Sequence, residues 1–247
     1  MATANPNKVK ETTDLMFGEF AKYQVLPIDA SAMTRWVSQR PSATAGRNVF
    51  TYLMPMTGLP DSVAPHCLNT SFTITADIDV PQGGGEGSIV AEGGRFGGYG
   101  LYLLKGKPVF TYNHLDLKRD RWEGPETLSP GTHTIVYDFK YDGLGVGTLA
   151  FNNLSGIGRP ATGILSVDGK VVATQKMENT VPLALPLDET FDIGSKTGSP
   201  VDDRDYQVPF TFTGKLNKLT ISVEPPKLTP EDEKKLSEAS RAAQDAK

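Results

Sequence analysis

A chain of 247 residues is long enough to bury a substantial core, and all-β folds of this size are routinely a single domain. A net charge of −4 without a basic stripe argues against nucleic-acid or anionic-membrane partners, and no apolar run approaches the roughly 20 residues that span a bilayer. The single cysteine, Cys67, excludes an intrachain disulfide and reads as a buried free thiol, which leaves the redox compartment open. The start, Met-Ala-Thr-Ala-Asn-Pro, lacks the basic and apolar stretches of a signal peptide.

In chain order, Asn5 as a cap, Pro6 in the first turn and the spacing of Val9, Leu15, Met16 and Phe20 predict an amphipathic helix ending near Tyr23. No companion helix for its apolar side is evident elsewhere in the sequence. Val25 to Asp29 ends it, and Ser31 to Arg47 is a polar, Pro-containing linker. Strands are predicted from Asn48 to Met54 and, after an excursion with three prolines between Met54 and Leu68, from Asn69 to Val80. The latter alternates with period two, so Asp77 and Asp79 point away from the core. A short strand over Ser88 to Ala91 leads to Gly93-Gly94-Arg95-Phe96-Gly97-Gly98, whose glycines permit close backbone approaches. No helix pattern follows them, as a phosphate-binding loop would require. Tyr99 to Leu103 and Val109 to Tyr112 form a hairpin around Lys105-Gly106-Lys107.

Gly131 to Tyr141 alternates again, with His133 in the register of Ile135, Tyr137, Phe139 and Tyr141; a packed histidine is the expectation there, since no nucleophile motif accompanies it. Gly143 to Gly163 is a Gly- and Asn-rich loop. Ile164 to Val167 and Lys170 to Ala173 flank the turn Asp168-Gly169. Phe191 to Gly194 and Phe210 to Val223 complete the strands, and Thr229-Pro230-Glu231-Asp232 starts a charged terminal helix. The whole is mainly β: an antiparallel sandwich over 48–225, with a helical segment in 1–30, a linker over 31–47 and a short C-terminal helix in 226–247. The order of the later strands resembles the concanavalin A-like, laminin-G-like jelly roll.

Several motifs resemble the C-terminal region of large bacterial-type arylsulfatases. They are Lys22 to Asp29, Arg40-Pro41-Ser42 with Ala45-Gly46-Arg47, Gly93 to Tyr99, and Asp188 to Gly194 leading into Gly198 to Val201. The resemblance implies that residues 1–30 are the end of a sulfatase catalytic domain, which would be the chain's partner, and that the sandwich packs on it or mediates oligomerisation. It also implies an exported or periplasmic parent. The family's formylglycine motif, Cys/Ser-x-Pro-x-Arg, is missing: Cys67 is followed by Leu68-Asn69-Thr70-Ser71, so no catalytic residue is assigned and the chain alone is expected to be inactive.

The alternative expectation is a lectin-like module for sulfated or neutral glycans. Trp122 with Arg119, Arg121, Tyr112 and His114 is the cluster whose composition suits a saccharide, pairing aromatic faces with polar hydrogen bonders; its bland counterpart is a solvated hairpin with a half-buried Trp. A glycosidase reading of Asp77 and Asp79 fails the pattern, since position 82 is Gln82. Asp188, Glu189, Asp192, Asp202 and Asp203, with Asp205, concentrate hard oxygen ligands and nominate a structural calcium, against the ordinary reading of a solvated acidic loop.

Overall fold

The computed structural model describes residues 2–26, 43–44, 46–143, 158–182, 189–225, 227–231, 234–235 and 238. The chain divides into two units, 1–41 and 42–247. In the first, helix α1 runs from Pro6 to Lys22 with Asn5 before it and proline in the first turn. It ends where the Tyr23 N–H bonds back to the Glu19 carbonyl, 3.0 Å away, and Gln24 turns left-handed at φ 58. Salt bridges Lys8–Glu11 and Lys10–Asp14 brace its polar surface. Of the apolar residues the spacing picked out, Val9, Leu15 and Met16 are exposed and Phe20 is half-buried, and α1 buries none of its residues.

The second unit is the expected antiparallel sandwich. Its strands are β1 Val49–Tyr52, β2 Met56–Leu59, β3 Phe72–Val80, β4 Gly87–Gly94, β5 Gly97–Leu104, β6 Lys107–His114 and β7 Lys118–Glu123. There follow β8 Gly131–Tyr141, β9 Ala161–Val167, β10 Lys170–Met177, β11 Phe191–Ile193, β12 Ser195–Lys196, β13 Phe210–Thr211 and β14 Lys215–Val223. The first sheet has the order β1-β14-β3-β8-β9-β10; the second runs β12-β13-β4-β5-β6-β7, with β11 joining β4 to β2. β3 shows how sequence sets packing. Its burial alternates residue by residue, sending Phe72, Ile74, Ala76, Ile78 and Val80 inward. Asp77 and Asp79 face outward, where they accept the hydroxyls of Thr134 and Thr132 across the β3–β8 ladder. From the second sheet, Tyr99, Leu101, Phe110 and Trp122 meet this layer.

The β5–β6 turn is Lys105-Gly106, at φ 51 and 77, the doubly left-handed pair that matches strand twist. The paired glycines have a steric cause: a Cβ at Gly98 would lie 2.0 Å from the Glu92 carbonyl oxygen, and one at Gly93 2.1 Å from that of Gly97. Unlike β3, strands β4 to β6 are buried on both faces. The loop around Tyr206 covers the outer one, with Tyr206 stacked on Phe210 at 4.3 Å and edge-on to Tyr102 at 5.2 Å.

Three expectations change. Phe210 to Val223 is not one strand: β13 belongs to the second sheet and β14 to the first, because the Phe212 and Thr213 N–H groups turn to the carbonyls of Gly194 and Glu86 in between. The stretch around Trp122 is the β6–β7 hairpin, but Trp122 is buried rather than half-buried, at 1% exposed. His133 sits at the half-exposed start of β8 rather than in the core. Most of the 143–163 loop, the 31–47 linker and the 226–247 helix lies outside the described residues; of that helix, 230–231, 234–235 and 238 are helical.

Candidate functional site

The five residues nominated for a glycan do not share a surface. β7 reads Lys-Arg-Asp-Arg-Trp-Glu, and its pleat sends Asp120 and Trp122 between the sheets while Arg119 and Arg121 face outward. The Trp122 indole N–H donates to the Gly163 carbonyl of β9 at 2.9 Å, and its ring packs edge-on to Phe110 and Tyr137. Tyr112 is buried beside it and its hydroxyl accepts the Val181 N–H at 3.1 Å. His114 Nε2 meets buried Asp120 at 2.8 Å; burial lowers the imidazole pKa despite that carboxylate, so it is neutral at pH 7. On the other face, Arg121 is held by Asp205 and Glu123, and Arg119 by Asp116 and the Val201 carbonyl.

The acids nominated for calcium are likewise divided, and Asp188 lies outside the described residues. Glu189 and Asp192 converge on the fully buried ammonium of Lys196, at 3.0 and 3.4 Å. Asp192 also accepts the N–H groups of Gly58 at 2.7 Å and Thr197 at 3.1 Å, and Glu189 that of Ser199 at 2.7 Å. Burial raises the pKa of both carboxyls, but these donors outweigh it and hold them below the ordinary range. Asp202 is gripped by Arg204 through two bonds of 2.8 and 2.6 Å, and Asp203 by Arg95 at 2.8 Å. Protein cations stand where calcium was expected. Among the described residues no group of three or more His, Cys, Asp or Glu is arranged for a metal, so these side chains do not fit the ion.

His133 has acquired companions that spacing did not reveal. Its Nδ1 lies 2.7 Å from Asp168 Oδ2, and Nε2 lies 2.8 Å from the Ser129 carbonyl and 3.5 Å from the Ser129 hydroxyl. This is not a catalytic triad, because Nε2 is spent as a donor to a carbonyl and is not free to take the hydroxyl proton. With an acceptor at each nitrogen the ring is an imidazolium clamp between the start of β8 and the β9–β10 turn. Burial alone would lower the His133 pKa; the bonds to Asp168 and Ser129 raise it above the ordinary value. Asp168 is lowered against its own desolvation by the Thr134 N–H and His133. The carboxylate's contribution is present above about pH 4 and lost as pH falls through its folded value; the imidazolium's is present below about pH 6.5 and lost as pH rises through its own. The clamp is thus strongest between those limits. His133→Gln is expected to cost more stability near pH 5.5 than near pH 9 in urea titrations; an equal cost at both would remove the imidazolium.

The arrangement that does gather binding chemistry is at one end of the second sheet, and its hub is Asn113 of β6. Asn113 is fully buried and shares its amide N–H groups among the carbonyls of Gly94, Arg95 and Val201 at 2.8, 2.8 and 3.1 Å. Its Oδ1 accepts the Asp116 N–H at 2.9 Å. One side chain therefore ties together the β4–β5 turn, the β6–β7 turn and the loop at 199–203. Arg95 adds its own N–H to Ser199 Oγ at 2.9 Å. Leu115 and Asp116, left-handed at φ 54 and 66, are held by these bonds and by the Leu117 N–H to the His114 carbonyl, 2.9 Å away. On the turns so fixed stand exposed apolar side chains: Phe96 is 48% and Leu117 88% exposed, with Leu115 nearby in sequence at 37%. Of this rim, Arg119 was nominated from sequence for a glycan, and Asp202 and Asp203 only as calcium ligands. The readable signal was an aromatic between two glycine pairs, Gly-Gly-Arg-Phe-Gly-Gly, and leucines on both sides of a turn aspartate.

No family model matches the chain, and no curated protein matches it. Solved structures with a similar arrangement include the CBM40 of the Ruminococcus gnavus IT-sialidase bound to α2,3-sialyllactose. It is 10% identical, with 77% of this chain and 97% of that one covered at a TM-score of 0.45. Domains LG4-5 of the mouse laminin α1 chain are 16% identical, covering 78% of this chain and 46% of that one at a TM-score of 0.41. A pentraxin from Limulus polyphemus is 12% identical, covering 83% and 78% at a TM-score of 0.37. Likeness at this level carries neither a family nor a ligand over to this chain, which is an antiparallel β-sandwich with its own Asn113-centred rim.

Proposed function

We propose that the sandwich is a non-catalytic glycan-binding module and that the Asn113-centred rim is its site. The observation that carries this reading is the pair of exposed apolar side chains, Phe96 and Leu117, on turns immobilised by one buried amide. An exposed apolar group edged by polar residues marks an interaction surface, and the C–H face of a sugar ring packs on an aromatic while its hydroxyls need donors and acceptors at fixed positions. Arg95, Asp116, Asp203 and Arg204 supply those. Each rim arginine is already matched to a carboxylate, Arg95 to Asp203, Arg119 to Asp116 and Arg204 to Asp202, which favours a neutral saccharide over a sulfated one. Printed arrays of neutral and sulfated glycans test this. Binding to neutral members, lost by at least about tenfold in Phe96→Ala and Leu117→Ala with unchanged thermal unfolding, is the expected result. Binding that survives both substitutions removes the rim from the account.

The exposure of Val9, Leu15, Met16 and Phe17 on α1 favours a second reading, in which this segment packs against the catalytic domain of an arylsulfatase-like parent. Mixing the chain with a separately expressed sulfatase catalytic domain tests it through association and aryl sulfate turnover; no association disposes of it. Without a Cys/Ser-x-Pro-x-Arg motif the chain alone is expected to hydrolyse no aryl sulfate.

A further inference from the structure

Glu92 of β4 is unusual in this molecule. It stands opposite Tyr99 of β5 and Phe191 of β11, faces into the end of the sandwich, and is 3% exposed. Its Oε2 has no hydrogen-bond partner. The groups that act on it come from every element around it. Asp61, in the 3-10 turn Asp61–Val63, and Tyr99 are the side chains that act on the carboxyl; Phe191 pairs with Glu92 on one side and with Leu59 of β2 on the other, and the turn begins two residues beyond Leu59. Cys67 lies against Tyr99, with Sγ 3.6 Å from the phenol oxygen, and Tyr52 of β1 and Tyr112 of β6 feel the carboxyl's charge. None of these five is a cation. Asp192 of β11, one residue from Glu92's partner Phe191, is engaged with Lys196 instead.

A carboxylate buried without a cation or a full set of donors is costly, and the charge of a second carboxylate acting on it makes it more so. Glu92 therefore keeps its proton at neutral pH. Burial first, and then the charge of Asp61, push its pKa up to about 8. In that state it can donate to Asp61 and fix the 3-10 turn. The turn in turn seats Ala64 and Cys67, 3% and 4% exposed, as a plug on the end of the core.

We propose that Glu92 is a proton-operated latch: protonated, it holds the segment around Asp61 closed over Cys67, and once the proton has passed to solvent base the facing carboxylates drive that segment off. No other reactant is required, and reprotonation recloses it. The tyrosines and Cys67 do not act as the switch, because burial holds their protons above the range in which Glu92 releases its own.

Cys67 is a built-in reporter. Its rate of mixed-disulfide formation with an aromatic disulfide, divided by that of free cysteine at the same pH, removes the intrinsic thiolate dependence. That ratio is expected to rise by about tenfold per unit from about pH 5 to about 8 and to level off above it in the intact chain, and to stay flat in Glu92→Gln, which keeps the shape and a donor but cannot ionise. If Glu92→Gln does not fold, Asp61→Asn carries the test, since it removes the repelling charge and makes the rise shallower, burial alone remaining to drive it. A flat ratio in the unsubstituted chain, or an equal rise in a folded variant of either kind, overturns the latch.

Discussion

Trp122→Ala is expected to destabilise the sandwich by about 3–5 kcal/mol, the range for removing a fully buried large aromatic. The indole is 1% exposed and lies within 5.7 Å of Phe110 and 5.3 Å of Tyr137, centroid to centroid. Its loss leaves a cavity between the sheets and strands the Gly163 carbonyl that it bonds at 2.9 Å. The surroundings cannot collapse around the gap, because β7 and β9 belong to different sheets held by their own ladders. Urea denaturation measures the effect as a lower midpoint at unchanged slope. A fully stable variant that loses only ligand binding would restore Trp122 as a sugar platform and move the site away from the rim.

Asn113→Ala is the second large effect expected. It leaves the Gly94, Arg95 and Val201 carbonyls and the Asp116 N–H without their shared partner in a buried position. Unmet buried groups cost about 1–3 kcal/mol each, partly relieved where water enters as the turns loosen. Binding should suffer more than stability does, because Phe96 and Leu117 then sit on turns that must be ordered anew when a ligand arrives. Thermal unfolding and glycan titration on the same sample separate the two. Equal affinity in a destabilised Asn113→Ala would mean that the rim does not need its hub.

What could be read in advance follows from what kind of interaction each feature depends on. β3 and β8 were legible because alternation of Thr and Asp with aliphatic or aromatic side chains is a local, period-two signal, and the structure keeps it throughout β3 and in β8 from Ile135 onward. The turns Lys105-Gly106 and Asp168-Gly169 were legible for the same reason. The glycan cluster failed on that very rule: Arg121 and Trp122 are neighbours in sequence and so must face opposite ways on a strand, which composition alone ignores. The calcium expectation failed differently. Counting carboxylates between Asp188 and Asp205 says nothing of the partners that neutralise them, and Arg95 of the β4–β5 turn and Arg119 and Arg121 of β7 reach them from far away in sequence. The rim and Glu92 were hidden because both depend on a side chain whose partners come from several elements, and no local pattern marks an asparagine that will bond two turns and a loop.

The central claim is the location of the binding surface, and backbone amide chemical shifts followed through titration with a neutral oligosaccharide selected on the array test it most directly. The account predicts that the shifted residues cluster at Arg95 to Gly98, Leu115 to Lys118 and Ser199 to Asp203, with Trp122 and Tyr112 unmoved. Shifts centred on β10 or on Asp77 and Asp79, with the rim silent, would contradict it.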